Sequence, residues 1–365
     1  MSLLLTIRPL EGTAYPLAVN GSNFAAPGDV GDGAVDEIDT SSLWALPGLA
    51  DSHAHLTMTS PRDIAGITEE AMLANIPRTA WAHVDRGVLL IMDKGGGSDI
   101  SLVSLDHDAD LRPEADVAGA IIHPAGGYMP GFGVEVEPDD LVEHVRNTAS
   151  KKGGWVKIVG DWPRRGIGPI NNYPLDRLTE AVDVVHQAGA RVAVHTMANS
   201  ASDAVAAGVD SIEHGPFLTP DDLKVLAARK GAWVPTVVNM LDVIEMLGAE
   251  STGGKLFVEG LEQMRENLPL AEELGVTVLA GTDMAVPHGE VSAEAIRLRE
   301  YGLSDRAATD AASISAYDYT GRTGRLRPGT SADVVFFADN PYENVEALAN
   351  PALIIHRGRI IEHTA

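Results

Sequence analysis

The chain of 365 residues contains no cysteine. This excludes disulfide frameworks, zinc ribbons, thiol nucleophiles and iron–sulfur clusters, so any metal ion must be held by nitrogen and oxygen. Histidine and carboxylate become the candidate ligands. Positive charge is also scarce, with 27 Lys and Arg against 52 Asp and Glu and a net charge of −25. A surface of that sign repels phosphates before contact, which argues against nucleic acid and anionic membranes and leaves a small-molecule substrate as the expected partner. No stretch approaches the roughly 20 apolar residues of a membrane span, and no basic residue precedes the short apolar run at Leu3-Leu4-Leu5. The expectation is a soluble, cytoplasmic protein, with monomer and homo-oligomer both open. At 45% hydrophobic and 22% charged residues, the composition is that of a globular chain with ample core, in one large or two modest domains.

Residues 1 to 45 combine short β-prone pieces with a Gly/Asp-rich loop, as suits a small sheet. From Leu46 the pattern changes to near-continuous apolar runs at 46–55, 87–93, 117–123, 155–159, 191–195, 210–214, 233–238 and 276–283. Such runs predict parallel strands covered on both faces. Helical segments are predicted between them over 69–86, 138–150, 175–187, 199–207, 220–230 and 256–273. Thr68 and Thr219-Pro220 supply start signals, and Gly189 and Gly208 supply stops. Eight strands alternating with helices give an α/β fold, a (β/α)8 TIM-like barrel. After Leu326 the pattern returns to β, so the two chain ends are expected to form one small β-sandwich. The expected division is 1–48 plus 325–365 for that sandwich and 49–324 for the barrel.

Of the 12 histidines, His53, His55, His195 and His214 fall at the carboxyl ends of predicted strands, the rim where a barrel builds its active site. His53 and His55 are two apart, which places both on one strand face about 6.6 Å from each other. Alone, a His-x-His pair is more often polar core or surface. Lys157 lies inside the apolar run Trp155-Val156-Lys157-Ile158-Val159, where a bare ammonium is costly to bury. Either its head snorkels to the mouth or finds a carboxylate, or it serves as a base or is modified to lose its charge. Asp283 ends the last run after Gly281-Thr282, with Pro287 and Gly289 placing a loop, rather than a helix it would cap, beyond it. Four imidazoles, one lysine and one carboxylate suit a hard or borderline divalent ion, with zinc the leading candidate.

The stretch Leu46-Pro47-Gly48-Leu49-Ala50-Asp51-Ser52-His53-Ala54-His55-Leu56 resembles the opening motif of the amidohydrolase superfamily. The segments 191–215, Leu279-Ala280-Gly281-Thr282-Asp283 and 326–335 resemble its branch of imidazolonepropionase-like proteins and metal-dependent prolidases and dipeptidases. The resemblance implies a binuclear site. His53, His55 and Asp283 would hold the more buried ion, and His195 and His214 the more exposed one. Lys157, carboxylated by carbon dioxide, would bridge them. Two such ions lower the pKa of a shared water toward about 7, and the bridging hydroxide would attack an amide while Asp283 relays its proton to the leaving amine. The implied substrate is a dipeptide or an N-acyl amino acid. A mononuclear deaminase or imidazolone-type cyclic-amide hydrolase is the alternative, and it would not need Lys157. A barrel without catalysis should lack ligands, whereas all six are present.

The chain departs from the family pattern at two loops. Where many relatives have Gly-Gly-His after the third strand, it has Gly126-Gly127-Tyr128. Where they have a Ser-Gly-Gly-like turn after the lysine, it has the bulky, basic Gly160-Asp161-Trp162-Pro163-Arg164-Arg165. Tyr128, Trp162, Arg164, Arg165, His123 and His288 are therefore the candidates for substrate contact, with either arginine able to clamp a carboxylate. A packing role for His288 is an equal reading, and a surface role without a ligand is slightly favoured for either arginine taken singly.

Overall fold

The computed structural model describes residues 2–29, 35–64, 66–164, 167–322 and 325–362. Eight parallel strands form its centre: β1 (Leu49–Ala54), β2 (Val88–Asp93), β3 (Glu114–Ala118), β4 (Gly154–Val159), β5 (Arg191–Thr196), β6 (Ser211–His214), β7 (Ala232–Val234) and β8 (Thr277–Val278). They are hydrogen-bonded in chain order. Two main-chain bonds curl the sheet closed between its first and last strands, Ser52 N to Ala280 O and Asp283 N to His53 O, both 2.8 Å. Gly281 permits that approach, because a Cβ there would stand 2.6 Å from both His53 Cβ and Val234 Cγ1.

Side-chain alternation separates two cores. Ile91, Val156, Ile158, Val192, Val194 and Ile212 face outward against the helices. Ala50, Leu90, Met92, Ala118, Ala193 and Leu279 line the interior, and the alanines leave room for the ring of Trp155. Lys94 Nζ lies 4.6 Å from the centroid of that ring and the Arg191 guanidinium 5.8 Å from it, so two cations flank the indole inside the barrel.

Both chain ends pack beside the barrel as two four-stranded sheets. One has the order Asn23–Ala25, Tyr15–Asn20, Ser2–Ile7, Val35–Glu37; the other has Arg359–Ile361, Leu353–His356, Val334–Phe337, Trp44–Leu46. Leu3, Leu5, Leu17 and Val19 share a core with Val334, Phe336 and Ile355. The intervening Val335 and Phe337 point the other way, into the main core. Strand period two thus lets the second sheet face the first sheet on one side and the barrel on the other.

Several predicted elements differ. The run at 117–123 is broken into Glu114–Ala118 and Ile122–His123, and that at 276–283 keeps only Thr277–Val278 as ladder. The run at 233–238 ends as strand at Val234. Pro235 interrupts it, Thr236 turns left-handed at φ 50°, and a helix starts at Val237 and continues to Leu247. Helices Val291–Glu300, Asp305–Ala311 and Ile314–Tyr319 were not predicted. The residues after Lys157 form no open loop but an antiparallel hairpin of Asp161–Arg164 with Gly168–Asn171. No helix among the described residues is long and apolar enough to cross a membrane.

Candidate metal centre and its roof

The carboxyl ends of β1, β5 and β6 and the turn after β8 bring the predicted ligands together. Asp283 Oδ1 lies 3.5 Å from His53 Nε2 and 3.2 Å from His55 Nε2, and Asp283 Oδ2 lies 3.9 Å from His214 Nε2. Ligand atoms of His53, His214 and Asp283 all fall within 4.8 Å of one another. Each of these three imidazoles has its other nitrogen at an oxygen. His55 Nδ1 is 2.6 Å from Gly95 O and His214 Nδ1 is 2.6 Å from Thr236 Oγ1. Because Thr236 Oγ1 donates its own proton to Pro235 O, it accepts from His214 Nδ1–H, which leaves the His214 Nε2 lone pair facing the centre. His53 Nδ1 lies 2.7 Å from Glu213 Oε2, at an angle too skewed for a hydrogen bond. Oxygen partners of this kind orient imidazoles for metal binding.

His195 and Lys157 complete the set differently. His195 Nδ1 is 3.0 Å from His214 Nε2. His195 Nε2 and Lys157 Nζ are buried and have no hydrogen-bond partner among the described residues. Unsatisfied buried nitrogens call for an explanation, and a shared cation or a modified lysine supplies one. Backbone strain marks the same place: His214 and Asp283 adopt left-handed φ values of 65° and 47°, conformations that non-glycine residues adopt at a cost. At His214 the turn breaks the strand alternation, so that the neighbouring Glu213 and His214 both serve the interior.

Burial, and after it neighbouring positive charge, depresses His53, His195 and His214, the last to about 3. Burial would lower His55 as well, but the Asp283 carboxylate outweighs it and His55 is raised. Burial pulls Lys157 down to about 8. Asp283, which burial alone would raise, is held near 2 by His53, His55 and Lys157. The donor set therefore offers neutral imidazole nitrogens at His53, His195 and His214 and an ionised carboxylate at Asp283, a combination that suits a borderline divalent cation.

A further layer of buried acids was not found from the sequence. Asp51 accepts Thr282 Oγ1 at 2.6 Å and the main-chain N–H groups of His53 and Thr282 at 3.1 Å. Asp93 accepts from Leu56 and Gly95 N–H, and Asp161 from Met197, Ala198 and Ser200. Glu213 is fully buried, with Lys94 Nζ at 2.9 Å from Oε1. Three of these acids end or closely follow apolar strands, a pattern that could have singled them out; nothing in the sequence pairs Lys94 with Glu213.

Tyr128 and Trp162 roof the site. Their rings meet edge to face at 4.7 Å, and each lies over His195, at 5.9 and 5.7 Å. Met58, Ile64, Phe132 and Met284 extend the apolar wall. Arg164 is half-buried on the roof hairpin with its Nε unpartnered, and Arg165 lies outside the described residues. His123 turns its nitrogens to Pro124 O and Phe132 O, and His288 turns its to His83 Nε2 and Met58 O. Both histidines thus support the walls, with their nitrogens engaged away from the centre.

The chain belongs to the amidohydrolase family, whose model matches residues 44–361. It is 33% identical over 326 residues to an uncharacterized protein of Mycobacterium tuberculosis, covering 87% of this chain and 85% of the relative. It is 26% identical over 355 residues to the imidazolonepropionase of Salinispora tropica, covering 86% and 81%. Its fold superimposes on the crystal structure of a Xaa-Pro dipeptidase with bound methionine with a TM-score of 0.81, at 20% identity over 99% of both chains.

Proposed function

We propose that the protein is a metal-dependent hydrolase that cleaves an amide bond in a dipeptide or an N-acyl amino acid. The observation that carries this is the convergence of His53, His55 and His214 Nε2 on Asp283, beside the unpartnered nitrogens of His195 and Lys157. His53, His55 and Asp283 would hold one ion, His195 and His214 a second, and Lys157, as a carbamate, would lie between them. Bound ions would supply Lewis acidity toward a water and the scissile carbonyl at neutral pH. Gly95 O, Thr236 Oγ1 and Glu213 keep the ligand rings oriented. Asp283 is ionised and adjacent, suited to take a proton from the attacking water and return it to the departing amine. Tyr128, Trp162, Met58 and Met284 exclude bulk water and favour an apolar substituent on the substrate, while Arg164 at the hairpin is placed for a carboxylate. The similarity to a Xaa-Pro dipeptidase in fold agrees with this substrate class.

The imidazolonepropionase relative favours a second reading, a mononuclear hydrolase of a cyclic amide. Zinc-loaded protein assayed with dipeptides, N-acyl amino acids, lactams and aminated heterocycles separates the two. Release of free amino acid is expected; turnover confined to lactams or to deamination would overturn the proposal. Lys157→Ala should lower the bound metal from two ions per chain toward one, and an unchanged count would remove the carbamate from the scheme.

A further inference from the structure

Among the described residues, the barrel interior beneath the candidate ligands holds two buried lysines, Lys94 and Lys157, beside the buried Glu213. Lys94 is 1% exposed, Lys157 3% and Glu213 0%. Glu213 belongs to Lys94 rather than Lys157. Its Oε1 accepts Ser211 Oγ at 2.6 Å and faces Lys94 Nζ at 2.9 Å, and its Oε2 is covered by His53 Nδ1 at 2.7 Å. Trp155, two residues before Lys157 on β4, holds the Lys94 ammonium against its ring at 4.6 Å, and Lys94 N bonds Ala54 O at 2.9 Å at the start of the loop after β2. Neither ammonium meets hydrogen-bond geometry, but among the described residues Lys94 Nζ has a carboxylate oxygen within ion-pair distance and Lys157 Nζ has none. A buried ammonium next to a free carboxylate would form an ion pair that is expensive to break.

We propose that Lys94 is a positioning residue: it occupies Glu213 and thereby leaves the Lys157 amine free to react with carbon dioxide. This rests on the carbamate proposed above. The Lys157 Nζ lone pair forms a bond to the carbon of CO2, one C=O pair moves onto oxygen, and one N–H proton passes to water. The resulting anion lies near the fixed positive charge of Lys94, which opposes its return to the amine. Without Lys94, Glu213 and Lys157 pair and the amine is withdrawn.

The experiment compares the full chain with Lys94→Met, Lys94→Arg and Lys94→Met/Glu213→Gln, each equilibrated with 13C-bicarbonate and zinc. The carbamate is read by 13C NMR, zinc per chain by elemental analysis and folding by circular dichroism. Lys94→Met should lose the carbamate signal by about tenfold, with one zinc bound where the parent binds two, as for loss of a residue that supports a metal ligand. Lys94→Arg keeps the cation and should keep the signal. Removing the carboxylate from the Lys94→Met chain should restore the signal, which a merely structural role for Lys94 would not produce. Full carbamate in Lys94→Met, loss of it in folded Lys94→Arg, or no recovery in the double variant would overturn the inference while leaving the carbamate reading intact. Absence of carbamate from the parent chain would overturn both. If Lys94→Met does not fold, the Arg and double variants still decide the matter.

Discussion

Asp283 stands within reach of three imidazoles and keeps its charge in a site that burial would otherwise neutralise. Asn at this position preserves shape but would remove the proposed base and the charge of a proposed ligand oxygen. Turnover by the zinc-loaded Asp283→Asn protein should fall about a hundredfold or more, measured as initial rates on the best substrate from the panel; a change under about twofold would place the proton transfer elsewhere. Thr236 tests orientation rather than chemistry. Its hydroxyl fixes the proton on His214 Nδ1, so Thr236→Val should weaken zinc binding by about 10- to 100-fold in a chelator competition, with the far-UV spectrum unchanged. The residues that converge at the candidate centre were legible in the sequence because a polar residue at the end of an apolar strand is conspicuous. Lys94 and Glu213 were not, because their significance is a contact between a loop residue and a strand residue 119 positions apart, and neither spacing nor periodicity encodes it.

The helix Val237–Leu247 links a distant acid to the site. Glu294, on the helix Val291–Glu300, accepts the N–H groups of Val237 and Val238 at 2.9 Å, capping the helix that begins next to Thr236. Burial, offset only in part by those bonds, raises the Glu294 carboxyl from its ordinary 4.5 to about 8. An acid that binds its proton more tightly when folded adds stability that is complete below its unfolded pKa and disappears as pH rises through the folded value. The parent chain should therefore lose stability relative to Glu294→Gln between pH 4.5 and about 8, a change of order a few kcal/mol in urea unfolding midpoints. A constant gap over that range would mean that Glu294 stays ionised in the fold. This helix also shows what the sequence concealed. The apolar run through Trp233 and Val238 has strand composition, and only Pro235 hinted that the ladder stops. The hairpin at 161–171 was hidden for a related reason: Pro163 and Pro169 face each other in its register, and proline argues against strand except at edges, where neither needs to donate. By contrast, the helix starts at Thr68 and Thr219 carried side-chain caps in both pattern and structure.

At the scale of the molecule, the barrel and the terminal sheets were legible as alternations of period. The eighth strand was read too long because its apolar residues continue past the ladder into the turn that carries Asp283. Ions bound to the proposed ligands from β1, β5, β6 and this turn would tie together segments more than 200 residues apart. Removing them with a chelator should lower the melting temperature by several degrees, as expected for loss of a ligand held at about 100 times its Kd, and added zinc should restore it; an unchanged transition would disconnect metal binding from the fold. The closure of the sheet adds a consequence of its own. The bonds from Ser52 to Ala280 and from Asp283 to His53 form a seam, and that seam runs straight through the candidate metal centre. Zipping the cylinder shut and assembling the proposed centre would consequently be one event, so that a chain whose last strand has not docked should hold no pair of metal ions, and breathing of the finished protein along that joint should open the centre first.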